Sequence, residues 1–286
     1  MSLPVQSENF KLHLGKRTLD LSSRTHLMGV LNVTPDSFSD GGKFLDAKSA
    51  ITQGLLMAEE GADIIDVGGE STRPGADAIS AEEEARRILP VIQGLTKKTG
   101  VPVSIDTYKS EVARRALDAG AAMINDISAL RFDPAMGKVA KDYDVPVVLM
   151  HIKGTPKNMQ KNPSYVNVMK EISEYLEQSM VMASEAGIDE DKIIVDPGIG
   201  FGKRVKDNLD ILRNLRELAH LGRPILMGLS RKSFIGKVLD LPAEKRLEGS
   251  LAALAVAITN GANILRVHDV KESRRAVQMV DAILKG

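Results

Sequence analysis

One unit recurs along this chain. A short apolar run meets a polar residue at its end, a loop follows that in most copies is marked by glycine or proline, and a segment of helical spacing comes next, eight times in all. The clearest copy is residues 193–203, IIVDPGIGFGK, where three apolar residues run into Asp196 and then into a Pro-Gly pair and two further glycines. A continuous apolar run of this kind reads as a strand buried on both faces, as in a parallel sheet. Asp196 then stands at the strand's C-terminal end, where α/β sheets and barrels bind ligands. Gly198, Gly200 and Gly202 let backbone come close to a ligand or take positive φ. One such stretch is equally well an ordinary strand-to-helix turn with an Asp cap. Its repetition is what carries weight.

The other strands are read at residues 26–33, 63–68, 101–106, 122–128, 146–151, 224–228 and 264–267. Helical spacing falls at 47–60, 81–99, 109–119, 134–142, 165–186, 208–221, a stretch reaching 260, and 271–284. Ser80 with Glu83 three residues on predicts a capping box at the second helix. Residues 10–21, FKLHLGKRTLDL, alternate apolar and polar side chains about Gly15-Lys16 and predict a β-hairpin covering the bottom of the fold. Strand and helix alternate without a Pro/Ser-rich linker, which means βαβ units and a parallel sheet. Eight repeats in 286 residues predict one α/β domain, a (β/α)₈ TIM barrel from about 26 to 286 behind the hairpin. An open doubly wound sheet is the alternative fold. The first strand lacks a GxGxxG turn, which argues against the dinucleotide-binding version of that sheet.

Aromatics make up only 3% of a chain that is 43% hydrophobic, and Trp is absent, so the core is aliphatic. Lys+Arg and Asp+Glu both number 38, which leaves no net field to attract nucleic acid or an anionic membrane. No apolar run nears the roughly 18 residues that span a bilayer. The N-terminal MSLPVQSENF has no basic and apolar regions of a signal peptide. Without cysteine there are no disulfides, thiolate catalysis or Cys-ligated metals, which fits a reducing cytoplasm.

The strand ends present Asn32, Asp66, Asp106, Asn125, Met150, Asp196, Lys232 and the pair Arg266/His268. In a barrel these ends form one ring, the catalytic face. Asp106, Asp196, Asn125 and Lys232 make a donor–acceptor set that suits a planar heterocycle with several N–H and C=O groups. Asp66 reads as an internal ion pair. Arg266 and His268 lie two apart, hence on one side of a strand, and with Asn32 can hold a phosphate. A capping or core role is the plainer reading of His268 by itself, and its place beside Arg266 favours the anion site.

Eight segments carry a resemblance, in order and over nearly the whole chain: NVTPDSFSDGG (32–42), ESTRPGA (70–76), SIDT (104–107), INDIS (124–128), LMHIKGTP (149–156), DPGIGFGK (196–203), GLSRKSFIG (228–236) and RVHDV (266–270). Together they resemble the dihydropteroate synthases of the bacterial type. Ile199, where an aromatic is common, is a conservative departure. The resemblance implies a pterin-binding TIM barrel and a transferase of folate biosynthesis. It joins 4-aminobenzoate to hydroxymethyl-dihydropterin diphosphate, giving dihydropteroate and pyrophosphate, with Mg²⁺ on the leaving group. On it, Asp106, Asn125, Met150, Asp196, Phe201, Lys232 and Arg266 bind the pterin, and Asn32, Arg266 and His268 hold the diphosphate, Asn32 also reaching the metal. Phe38, Thr72, Arg73, Pro74, Phe201, Lys232 and Ser233 frame 4-aminobenzoate, the compound that sulfonamides imitate. Asp106, Asp196, Lys232 and Arg266 are the catalytic set.

Pterin-dependent methyltransferases share the fold and pterin pocket but need no diphosphate site. The segments TPDSFSDGG, STRPG and SRKS separate them from this chain. A noncatalytic pterin-binding module would not need Asn32, Arg266 and His268 around an anion. The loops at 34–42 and 69–75 hold few apolar residues and are expected to be mobile lids. Residues 250–259, SLAALAVAIT, are apolar nearly all round. Such a stretch is either buried under the neighbouring helices or faces a second subunit, and the resemblance implies a homodimer through the last helices.

Overall fold

A computed structural model describes residues 10–34 and 43–285, with 43–46 by their backbone alone. The alternation at the N-terminus forms strands β1 (Lys11–Leu14) and β2 (Arg17–Asp20), antiparallel with Lys11 opposite Asp20. Their apolar faces are buried. Leu12, Leu14, Leu19 and Leu21 form one core cluster with Met28, Ile64, Met123, Val148, Ile194, Leu226 and Ile264. Each of those seven is at or near the start of a barrel strand, so the hairpin plugs the bottom, as the sequence predicts.

The eight apolar runs are strands β3 (His26–Asn32), β4 (Ile64–Gly68), β5 (Val103–Asp106), β6 (Met123–Asp126), β7 (Val147–Met150), β8 (Ile193–Asp196), β9 (Leu226–Gly228) and β10 (Ile264–Val267). All the pairings are parallel, in the order β8-β7-β6-β5-β4-β3-β10-β9. A parallel bridge from Val195 to Ile225 brings β8 beside β9 and closes the ring. The open sheet is thereby excluded. The helices are α1 (Lys43–Glu59), α2 (Ala81–Lys98), α3 (Ser110–Asp118), α4 (Met136–Tyr143), α5 (Val168–Glu185), α6 (Val205–Asn214), α7 (Ser233–Leu239), α8 (Leu247–Thr259) and α9 (Val270–Lys285). Among the described residues no helix is long and apolar enough to cross a membrane.

Successive strand residues face opposite sides, and this parity builds two cores. Leu27, Leu31, Ile65, Val67, Val103, Ile105, Ile124, Leu149, Ile193, Val195 and Leu265 face outward into the helix layer, in one cluster with Ile88, Ile92 and Leu95 of α2. The alternate positions face the barrel axis, apolar at the bottom and polar toward the top.

Several boundaries differ from the sequence reading for local reasons. Helix α5 begins at Val168, because the Asn167 side chain accepts the Lys170 N–H at 3.1 Å and caps it there. The stretch read as one helix to residue 221 turns into a 3₁₀ helix at Leu215–Leu221. At α2, Ser80 accepts the Glu83 N–H at 3.2 Å as a cap. The Glu83 carboxylate instead binds Arg86 at 2.6 Å and Arg87 at 2.8 Å, so the capping box is only half formed.

Candidate active site

Above the apolar bottom layer, the inward positions carry Asp66 on β4, Asp106 on β5, Asn125 on β6, Met150 on β7, Asp196 on β8 and Arg266 on β10. Asp106 and Asn125 are register partners, as are Met150 and Asp196, so each pair sits side by side at the roughly 4.8 Å strand spacing. Arg266 reaches across the barrel. Its Nε donates to Asp66 Oδ2 at 2.6 Å and its Nη2 to Asp106 Oδ2 at 2.7 Å. Asn125 Nδ2 donates to the same Asp66 oxygen at 3.0 Å. Asp66 is fully buried and its Oδ2 takes both partners, while Oδ1 has none among the described residues, and the bond to Arg266 makes it the internal ion pair expected of it.

Asp126, next to Asn125, faces the other way. Its carboxylate accepts the Ser128 N–H and hydroxyl at 2.8 and 2.7 Å and the Leu130 N–H at 2.8 Å. It shapes the turn and leaves the mouth to Asn125.

Asp196 is 4% exposed, and its Oδ1 accepts the Gly198 N–H at 2.7 Å. Gly198 has φ +68°, and a Cβ there would lie 1.9 Å from the His151 carbonyl oxygen. Glycine is therefore required, and the loop after β8 lies directly against the loop after β7. Further bonds fix that loop. Gln160 Nε2 donates to Gly200 O at 2.6 Å, Tyr165 Oη to Gly202 O at 2.8 Å, and Lys203 Nζ to Phe201 O at 3.0 Å. Lys203 Nζ also meets His151 Nδ1 at 2.8 Å.

Phe201 belongs to a small apolar cluster with Ile127, Met150, Ile152 and Met159, against which Tyr108 packs. The Lys232 ammonium sits 4.3 Å over the Phe201 ring, a cation–π contact. Arg231, just before Lys232, has φ +59°, costly for a side-chain-bearing residue. Ser250 Oγ accepts its N–H at 3.0 Å and Arg246 Nη1 donates to its carbonyl at 3.0 Å. This strained turn aims Lys232 into the mouth.

Burial shifts these charges. It pushes Asp196 up to about 6, against the Gly198 N–H and the charges of Lys232, Lys203 and Arg266. It pushes Lys232 down to about 8, helped by Arg266 and opposed by Asp196 and Asp106. Asp106 is likewise raised by burial and by Asp66 and Glu84, while Arg266 opposes. The 2.7 Å bond to a guanidinium that keeps its proton argues for an ionised Asp106 at neutral pH. Burial holds His268 down to about 4, so it is neutral, with its Nδ1 3.1 Å from Ser230 Oγ.

The mouth thus presents two carboxylates, an amide and an ammonium beside an apolar wall. Arg266, Asn32 and His268 lie at the end of neighbouring strands β10 and β3. Thr72, Arg73 and Pro74 stand on the loop after β4, which reaches the β7 loop where Gly75 N–H donates to Pro156 O at 3.1 Å. The neck of this loop is tied, contrary to the expectation of a weakly held lid. Glu70 accepts Ile79 N–H at 2.9 Å, Tyr108 Oη at 2.5 Å and Lys109 Nζ at 2.6 Å. Ser233 opens α7 and is exposed. Phe38, and with it the first loop from residue 35, lies outside the described residues. Sequence reasoning gave no role to Lys203, His151, Glu70, Tyr108 or Lys109. Lys203, His151 and Glu70 stand inside the segments that carry the resemblance, which is the signal they offered.

Comparison with known proteins gives a consistent result. The model of the family described as pterin binding enzyme matches residues 28–268. A dihydropteroate synthase of Bacillus subtilis (strain 168) is 47% identical over 273 residues, covering 96% of this chain and 93% of that protein. The Yersinia pestis dihydropteroate synthase solved with a sulfonamide drug complex superposes with TM-score 0.91 at 43% identity, covering 96% of this chain and 100% of that one. The Xanthomonas albilineans dihydropteroate synthase with 4-aminobenzoic acid gives TM-score 0.91 at 46% identity, covering 96% and 98%.

Proposed function

The chain belongs to the dihydropteroate synthases of the pterin-binding enzyme family, and on that premise we propose how its own residues perform the condensation. The reaction joins 6-hydroxymethyl-7,8-dihydropterin diphosphate to 4-aminobenzoate and yields 7,8-dihydropteroate and pyrophosphate. The observation that carries this reading is the floor of Asp106, Asn125, Asp196 and Lys232 beside the apolar wall of Met150 and Phe201. A flat pterin has N–H donors for the carboxylates, acceptors for the amide and ammonium, and ring faces for the wall.

The diphosphate would lie toward Asn32, Arg266 and His268. Arg266 spends two of a guanidinium's five N–H groups on Asp66 and Asp106, and an anion would take others. His268, held neutral by burial in the ligand-free protein, would offer the anion a ring N–H. In the reaction the methylene C–O bond breaks and its electron pair leaves with the diphosphate. The amine nitrogen forms the new C–N bond and sheds a proton. A leaving group of this stability favours an SN1-like path in which Asp106 and Asp196 offset positive charge on the pterin. The weak aniline nucleophile then needs positioning by Phe201, Lys232, Ser233 and the segment Thr72–Arg73–Pro74 more than it needs a base. Phe38 joins this set by resemblance.

The resemblance also implies Mg²⁺. Asn32 offers a hard carboxamide oxygen at the half-buried end of β3, which suits this ion. Among the described residues no group of three or more His, Cys, Asp or Glu could cage a metal. Mg²⁺ commonly binds by one or two protein oxygens plus substrate phosphates and water, so the donor set fits. When bound, the ion would neutralise charge on the departing diphosphate.

Sulfonamides would occupy the 4-aminobenzoate position, and the cytoplasm is the compartment proposed. A homodimer through the last helices is supported by exposed apolar side chains there, Val256 on α8 and Met279 and Ile283 on α9. Light scattering at micromolar concentration that finds only monomer would remove the dimer. The test of function is pyrophosphate release from pterin diphosphate plus 4-aminobenzoate. No release, with methyl transfer from a methyl-pterin instead, would assign the chain to the methyltransferases.

A further inference from the structure

Between β4 and α2 the chain runs out over the mouth and returns, residues 69–80. One carboxylate closes the neck of this loop. Glu70 Oε2 accepts the Ile79 N–H at 2.9 Å and the Lys109 ammonium at 2.6 Å, and Oε1 accepts the Tyr108 hydroxyl at 2.5 Å. Glu70 therefore ties the outgoing strand of the loop to the returning one, and both to the segment after β5. Lys109 also donates to Glu84 Oε2 at 2.5 Å, in the first turn of α2. Arg87 Nη1 holds Gly69 O at 3.0 Å.

The Glu70 and Glu84 side chains are only 6% and 1% exposed, and a single ammonium serves both. A buried carboxylate left without its cation is strongly disfavoured, so this arrangement persists only with Lys109 in place. Burial already raises Glu84 against the pull of Lys109. The Tyr108 ring packs on the apolar wall and edge-on against Phe132, with centroids 5.5 Å apart. None of the four groups belongs to the set that faces the pterin.

Building on the synthase reading, we infer that the Glu70–Lys109–Glu84–Tyr108 knot positions the loop bearing Thr72, Arg73 and Pro74, and so sets affinity for the amine substrate independently of pterin affinity. The knot's own hydrogen bonds run among Glu70, Tyr108, Lys109 and Glu84 and not to Asp106, Asn125, Asp196 or Lys232, on which the pterin floor hangs. The amine's frame hangs on the loop that the knot holds. These are positioning residues, and their signature is a split between the two substrates.

The experiment uses the full chain and its Lys109→Met and Tyr108→Phe variants. Pyrophosphate release is followed as 4-aminobenzoate is varied at saturating pterin diphosphate, and the Kd of a free pterin is measured by calorimetry. Lys109→Met is expected to raise KM for 4-aminobenzoate by about tenfold or more, and Tyr108→Phe by about threefold to fivefold, from the loss of an ion pair in the first and of one hydroxyl–carboxylate hydrogen bond in the second. Pterin Kd stays within about twofold and kcat within about threefold, near the error of such energies. An unchanged amine KM, or a pterin Kd that rises in step with it, overturns the inference. If Lys109→Met does not fold, Tyr108→Phe decides alone, since it keeps the ring. A parent that releases no pyrophosphate overturns the synthase reading and this inference with it. An active parent with unmoved variants overturns this inference only.

Discussion

Replacing Asp196 with asparagine keeps size and removes one acceptor. The structure fixes which way the new carboxamide turns. The Gly198 N–H, 2.7 Å from Oδ1, demands an acceptor on that side. The carboxamide oxygen must stay there, and its NH₂ then points into the mouth, donor against the pterin's own N–H. Two losses add: a charge-assisted bond and a buried donor left without a partner. They cost on the order of 2–4 kcal/mol, which is roughly a thirtyfold to thousandfold loss of pterin affinity. The pH behaviour gives a second reading of the same residue. Binding needs the carboxylate, and burial holds the free enzyme's Asp196 up to about 6. Parent affinity is therefore full above that pH and falls about tenfold per unit below it, whereas the Asp196→Asn variant has no such limb. Ligand-free stability should move the opposite way. A carboxyl raised in the folded state is disfavoured as the ion, so its stability cost is present above about pH 6 and vanishes below the unfolded value, near 4. The variant escapes that cost and should melt no lower than the parent at pH 8. Calorimetry with a pterin analogue and thermal melts at pH 5 and pH 8 test all three. Binding within about threefold of the parent, or loss of the ligand-free fold, would refute the argument.

Three more outcomes are expected. The kcat/KM profile should be a bell, rising through about 6 as Asp196 ionises and falling through about 8 as Lys232 loses its proton; a flat profile between pH 5.5 and 9, measured by pyrophosphate release, would remove both assignments. Lys203→Met removes the donor to His151 Nδ1 and Phe201 O and should weaken pterin binding by about tenfold in calorimetry, the worth of one to two buried hydrogen bonds; unchanged Kd would mean that the Phe201 loop holds its shape without the lysine. Leu12→Ala, in the plug, should cost about 2–5 kcal/mol in denaturant unfolding while leaving pterin Kd alone, and a changed Kd would show that the bottom layer communicates with the mouth.

The barrel was legible because its signal is local and repeated. Each strand is a short apolar run with a polar residue near its C-terminal end, most are followed by a Gly or Pro turn, and the strand–helix unit repeats eight times. The inward set was legible for the same reason, since strand parity sorts Asp196 and Asp106 toward the axis without any long-range information. Parity also shows the limit. Asn125 and Asp126 are adjacent, both polar and both near a strand end. A one-residue step sends Asn125 to the mouth and Asp126 to the turn, where it accepts three hydrogen bonds. What stayed hidden depends on pairings without periodicity. Glu70 and Lys109 are 39 residues apart on two loops, and Lys203 and His151 are 52 apart. The capping box failed for a related reason, as Arg86 and Arg87 one turn on compete for the Glu83 carboxylate.

The charges in the mouth suit a protein that must bind before it reacts. Asp66, Asp106 and Asp196 stand against Arg266 and Lys232, while burial holds Lys203 well below the usual ammonium range. Arg266 is committed to Asp66 and Asp106 by bonds of 2.6 and 2.7 Å. Asp196 and Lys232 share no such bond, and burial pushes each toward its neutral form. A buried ion without a close partner is disfavoured, and a ligand that hydrogen-bonds both relieves that disfavour. The ligand-free barrel therefore carries a cost at two positions that, on the proposed assignment, the pterin edge would remove, so that part of the binding energy would be stored there in advance. Arg266 is different: its ion pairs already hold the barrel axis together, so an anion arriving at its free N–H groups meets a guanidinium fixed in place. On the proposed assignment, fixed positive charge would meet the leaving group and releasable charge the heterocycle, a division of labour that suits a displacement at the pterin methylene.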